Sequence, residues 1–272
     1  MKNQTNRWMK ILLEDRNAVI YGAGGAIGGG LARTFAREGA RVFLAGRTRE
    51  SLEAVAADIR ATGGSAEVAV VDALNERAVD EHAHAVAAQA GSIDVSFNLV
   101  SRGDVQGIPL ADMTTEDFIR PITTGIKANF ITARAAARHM IRQGSGVILA
   151  LDSGSANGSH MMGGTGPADA ATDTFVRNLA AEIGPHGVRV VGLWAAGVPD
   201  TMSPEKLASV NSDLQLDDAA FQGLLARLDE MRMLRRSPRL DQVAAVAAFL
   251  ASEQAAAITG TFVNVTSGMF SS

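Results

Sequence analysis

A glycine cluster, Gly22-Ala23-Gly24-Gly25-Ala26-Ile27-Gly28, follows the β-forming run Val19-Ile20-Tyr21 and precedes a helical pattern at Leu31, Phe35 and Ala36. A strand that turns tightly into a helix leaves backbone N–H groups unpaired at the positive helix end, where a phosphate can sit. Glycine supplies the turn conformation and lets the phosphate approach closely. A second phosphate group has a candidate partner in Gly46-Arg47-Thr48. Arginine grips phosphate through two parallel charge-assisted hydrogen bonds; the alternative for Arg47 is one more solvated residue among 25 Lys and Arg. Farther along, Ser153 ends a strand pattern, His160 stands in the loop after it, and Asp169 lies near the next helix start. Ser153 could donate to a substrate oxygen or merely satisfy loop backbone. His160 could shuttle a proton if its loop folds inward, or face solvent.

These residues need a frame. Short β runs at 41–45, 66–71, 93–100, 147–151, 188–194 and 261–265 alternate with helical patterns at 50–61, 76–90, 115–143, 167–183 and 241–251. Such alternation predicts an α/β fold in one domain spanning 1–272, a Rossmann-like doubly wound parallel sheet with helices on both faces. The alternation breaks between 198 and 238, where Leu224, Leu225, Leu228, Met231, Met233 and Leu234 mark a helical insert that could close over a site as a lid.

Composition narrows the function. A net charge of -4 without any basic run argues against a nucleic-acid partner. The absence of cysteine excludes disulfides, thiol catalysis and thiolate zinc sites. His82 and His84, two apart on a helix, do not face one metal, and both read as surface residues, so no metal site is expected. Near the amino end, Trp8, Met9, Ile11, Leu12 and Leu13 are interrupted by Lys10, too short and broken for a signal core or membrane span. The expectation is a cytoplasmic protein acting on a small molecule.

From about Asp15 to Gly268 the chain resembles the short-chain dehydrogenase/reductase family. That family's Thr-Gly-x-x-x-Gly-Ile-Gly stands here as Tyr21-Gly22-Ala23-Gly24-Gly25-Ala26-Ile27-Gly28, with one glycine replaced by Ala26. The Asp that touches adenine matches Asp72, next to Ala73, and Asn-Asn-Ala-Gly is represented by Asn98-Leu99-Val100-Ser101. The carboxyl end matches in Asp241-Gln242-Val243-Ala244, Phe249-Leu250-Ala251-Ser252 and Ile258-Thr259-Gly260-Thr261. The resemblance implies a dinucleotide held by Gly22, Gly24, Gly25, Ala26, Ile27, Gly28, Arg47, Thr48, Asp72, Ala73, Asn98, Leu99 and Val100. Because Arg47 stands where an NAD enzyme would carry a carboxylate, the cofactor expected is NADP(H). A homo-oligomer, tetramer or dimer, built through the long helices around 116–143 and 166–183 is also implied. Ala133, Ala135, Ala136, Ala137, Ala168, Ala170 and Ala171 would permit close packing there, and core packing explains them as well.

The resemblance breaks at the catalytic positions. The family uses a Tyr, a Lys four residues later, a Ser and an Asn; the only tyrosine here is Tyr21, at the phosphate turn. Alignment puts Thr165 at the Tyr position, Asp169 at the Lys position and Gly125 at the Asn position, leaving Ser153 as the one match. A carboxylate at 169 reverses the local charge, which would disfavour an oxyanion and favour a cation such as an iminium. It could instead accept the nicotinamide ribose hydroxyls, or act as a first-turn helix anion. Lys127 lies on another helix face from Gly125, and Met161 and Met162 could line an apolar pocket or fill a gap. Two readings follow. One is an atypical NADPH-dependent reductase of an activated substrate (iminium, conjugated alkene or carbonyl), with Ser153, Asp169, Thr165 and His160 as catalytic candidates. The other is a non-catalytic NADP-binding sensor or partner subunit.

Overall fold

The computed structural model describes residues 11–211 and 215–271. Trp8, Met9 and Lys10 lie outside the described residues, as do positions 212–214 of the insert. Seven parallel strands form one sheet in the order β3-β2-β1-β4-β5-β6-β7. They are β1 (Asn17–Tyr21), β2 (Arg41–Gly46), β3 (Ser65–Val70), β4 (Val95–Asn98), β5 (Gly146–Asp152), β6 (Val188–Trp194) and β7 (Thr261–Asn264). The helices between them are α1 (Ala26–Arg37), α2 (Arg49–Ala61), α3 (Glu76–Ala90), α4 (Thr115–Gln143), α5 (Thr165–Ile183), α6 (Pro204–Val210), α7 (Asp218–Glu230) and α8 (Leu240–Ala251). This is the expected Rossmann-like α/β sheet, with β4 shorter at both ends than its apolar run.

Strand alternation sorts the core into two layers. In β1, Ala18 and Ile20 pack with Leu31, Phe35, Leu52 and Leu250 on the side covered by α1, α2 and α8. Val19 and Tyr21 face the other way, among Val79, Val86, Ile131 and Val176 from α3, α4 and α5. Tyr21 is therefore a core residue, 2% exposed, although it immediately precedes the phosphate turn. Its hydroxyl lies 3.4 Å from His82 Nδ1, and the two rings meet edge-on. His82 is half-buried beside Tyr21 and not the surface residue expected, and that burial depresses its pKa to about 4. Replacing Tyr21 with Phe is expected to lower stability by about 1 kcal/mol, the worth of one ordinary hydrogen bond, in a chemical denaturation series. Cofactor affinity should not change.

The insert after β6 is fastened by Arg232. Its guanidinium, 1% exposed as a residue, donates to the carbonyl oxygens of Leu228, Ala196, Gly197 and Thr266. A buried charge survives only when its hydrogen bonds are met, and here four carbonyls meet them. The end of the insert is thus tied to the carboxyl end of β6 and to the segment after β7.

Candidate active site

The glycine turn is dictated by space. A Cβ on Gly28 would stand 2.2 Å from the Gly22 carbonyl oxygen, and one on Gly22, at φ +77°, would stand 2.5 Å from the Leu99 carbonyl. Helix α1 then opens at Gly25 with no side-chain cap and no acidic residue in its first turn, so its first N–H groups are offered to an anion. Along the carboxyl ends of the strands run two adjoining clefts. One, of about 570 Å³, is lined by Gly22, Gly24, Gly25, Arg47, Thr48, Asp72, Ala73, Leu99 and Val100. The second, of about 360 Å³, is lined by Gly25, Ala26, Ile27, Gly28, Asn98, Leu99 and Val100, and it continues to Asp152, Ser153, Asn129, Thr201 and Lys206. The thirteen residues expected to hold a dinucleotide therefore border one groove. Arg47 is exposed, and among the described residues no carboxylate pairs with it.

The far end of the groove is built around Asp169, which has no exposed surface. One oxygen, Oδ2, accepts from the Ser153 hydroxyl at 2.5 Å, the Ser153 N–H at 3.2 Å and the Ser155 N–H at 2.9 Å. The other, Oδ1, accepts from the Arg102 guanidinium at 2.7 Å. Arg102 also pairs with Asp104, at 3.0 Å. Burial works against the charge on Arg102, but Asp104 and Asp169 outweigh it and hold the guanidinium more firmly protonated than usual. Space for this arginine comes from Gly125, where a Cβ would lie 2.7 Å from Arg102 Cδ.

The candidates from sequence thus divide. Ser153 lines the cleft, but its proton is committed to Asp169 and its oxygen is 2.7 Å from the Ser155 hydroxyl, so what it can offer a ligand is a lone pair. Asp169 does not line the cleft. Its charge is already met by Arg102, which removes the physical basis for drawing in an iminium. Thr165 is 1% exposed and donates to Asp104 at 2.8 Å, holding the carboxylate that holds Arg102. His160 is exposed and borders neither cleft, and the same holds for Lys127. Met161 and Met162 also stay outside both.

Three residues escaped the sequence reading. Arg102 sits directly after Ser101 and borders both clefts. The signal for it was indirect: a carboxylate at 169 demanded a cation, and a bare Gly125 left room for one. Asn129, one helical turn past Gly125, accepts from the Asn98 amide at 2.7 Å and donates to Thr172 at 3.3 Å, joining β4, α4 and α5 through polar side chains. Asp152 borders the cleft while 5% exposed; burial, then its Asp169 and Asp173 neighbours, push its pKa up to about 9.

Comparison with known proteins agrees with this architecture. The family model described as enoyl-(acyl carrier protein) reductase matches residues 22–270. Gluconate 5-dehydrogenase of Gluconobacter oxydans (strain 621H) is 29% identical over 260 residues, covering 94% of this chain and 95% of that protein. Among solved structures, an NAD+-bound xylitol dehydrogenase is 25% identical with a TM-score of 0.82, covering 94% of this chain and 99% of the other. A gluconate 5-dehydrogenase from Burkholderia cenocepacia J2315, in complex with NADP and tartrate, is 25% identical with a TM-score of 0.81, covering 96% and 97%. No helix among the described residues is long and apolar enough to cross a membrane. With a sheet order, a glycine turn and a family match that all coincide, the chain belongs to the short-chain dehydrogenase/reductase family of oxidoreductases.

Proposed function

We propose that this protein is an NADPH-dependent reductase of conjugated carbonyl compounds in which Arg102 takes over the electrostatic work usually given to a Tyr and a Lys. The observation that carries this reading is the Arg102 guanidinium, fixed by two carboxylates at the junction of the two clefts. Of its five N–H groups, three are used by Asp104 and Asp169, which leaves two for a ligand. A bound nicotinamide supplies hydride. When hydride reaches the far carbon of a conjugated carbonyl, negative charge gathers on the carbonyl oxygen, and a preorganised cation is suited to receive it. That step needs no proton in concert, which fits a site without a tyrosine.

Arg47 supports the choice of NADPH. Its free guanidinium stands at the end of β2, where a carboxylate would be needed to favour NAD. Fluorescence titration should show NADPH bound about tenfold to a hundredfold more tightly than NADH, the worth of one charge-assisted contact. Arg47→Asp should reverse the order. The reading as a reductase is tested with 2-cyclohexenone against cyclohexanone. Consumption of NADPH with the enone alone supports it, and cofactor binding without turnover of any enone removes it. Association through α4 and α5 belongs to the same reading. Most of the alanines there are spent on the core, but Phe130 is 48% exposed beside Phe175 and offers an apolar contact.

A further inference from the structure

We propose that Asp152 is the proton donor of this site: its carboxyl borders the cleft beside Ser153, and its Oδ2 is buried without a partner. The inference rests on the reductase reading, because reduction of a conjugated carbonyl requires one proton for each hydride.

Three carboxyl groups meet at this point, and their surroundings separate them. Asp169, from α5, has the Arg102 guanidinium and three donors from the 153–155 segment. Asp173, one turn along α5, accepts from the Trp194 indole of β6 at 3.3 Å and has Arg177 at 3.6 Å. Asp152, at the end of β5, has only the Gly154 N–H on Oδ1, at 2.9 Å. Oδ2 is left with no donor among the described residues. Neighbouring carboxyls that cannot all ionise retain a proton on the least supported member. Here that member is Asp152, and a proton on its Oδ2 satisfies the orphaned atom by donation to Asp173. The other charges facing it are Arg102 and Asp104 from the loop after β4 and Lys206 from α6, which borders the same cleft.

Rotation about the Asp152 Cβ–Cγ bond, a broad two-fold torsion, turns the O–H from Asp173 toward the cleft. The O–H bond then breaks, its electron pair stays on the Asp152 carboxylate, and the proton joins the enolate formed by hydride addition. Asp152 is left as an anion beside Asp173, an unfavourable pair that recovers a proton from solvent.

The test combines infrared spectroscopy with pH-dependent turnover. Wild type should show a protonated-carboxyl band at pH 7 that disappears near pH 9, and this band should be absent from Asp152→Asn. With 2-cyclohexenone and NADPH, Asp152→Asn should turn over about a hundredfold more slowly, in the range of general-acid effects. Asp173→Asn removes a neighbouring carboxylate and should move the alkaline limb of the wild-type profile to lower pH, an effect that lost packing alone would not produce. A wild type that turns over but lacks the band at pH 7, or an Asp152→Asn enzyme with the wild-type rate, overturns the proposal and leaves the reductase reading intact. A wild type that reduces no enone overturns the reductase reading, and proton delivery with it, whatever the infrared band shows.

Discussion

Arg102→Met is expected to reduce enone turnover by about a hundredfold to a thousandfold, the usual loss when one preorganised stabiliser of a developing oxyanion is removed. The same change should cost about 3–5 kcal/mol of stability, because it leaves the fully buried Asp169 carboxylate without its cation. These two effects can be separated. Arg102→Met combined with Asp169→Leu removes both charges and should recover much of the stability, as buried pairs often tolerate joint replacement by apolar residues. Activity should stay low, because the cation is still missing. Arg102→Lys keeps a charge but cannot span Asp104 and Asp169 as a fork, so partial activity with reduced stability is expected. Thermal denaturation and steady-state NADPH oxidation on the four proteins read both effects. If the double variant regained the wild-type rate, Arg102 would be only a structural counter-ion.

The second large effect is expected at the phosphate turn. Gly28→Ala puts a methyl group 2.2 Å from the Gly22 carbonyl oxygen and 2.9 Å from Ala23 Cα, both fixed backbone atoms. Relief requires the turn to open, which widens the N-terminal end of α1 where phosphate would sit. Overpacking of this kind costs about 1–3 kcal/mol, and NADPH affinity should fall by at least about tenfold to a hundredfold. Gly223→Ala is the control. Its added Cβ meets nothing within 4 Å, and in helix α7 alanine should add up to about 1 kcal/mol of stability while leaving NADPH titrations unchanged. Equal binding by Gly28→Ala and wild type would show that the turn does not carry the cofactor.

Local pattern made the fold readable. Helices Glu76–Ala90 and Thr115–Gln143 begin after Asn75 and Thr114, which cap their first turns, and end at the left-handed glycines Gly91 and Gly144. Those signals are short-range, so the sequence carries them in full. The cleft lined by the glycine turn and Arg47 was legible for the same reason, since both lie within one βαβ unit. The far end of the groove was not, because the contact that shapes it joins Arg102 to Asp169 across 67 positions of chain. His82, which read as a surface residue, is half-buried instead. Strand alternation sends the Tyr21 ring to the α3 side, where it meets His82. The charge at Asp169 was read without its partner, and the pull on a cationic substrate disappeared once Arg102 was found beside it.

The most direct test is pre-steady-state oxidation of bound NADPH by 2-cyclohexenone, compared between wild type and the Arg102→Met/Asp169→Leu protein after both have been shown to bind NADPH equally. Rapid oxidation by wild type and a rate about a hundredfold or more lower in the double variant is the predicted result. Equal rates in the two proteins would contradict the role assigned to Arg102.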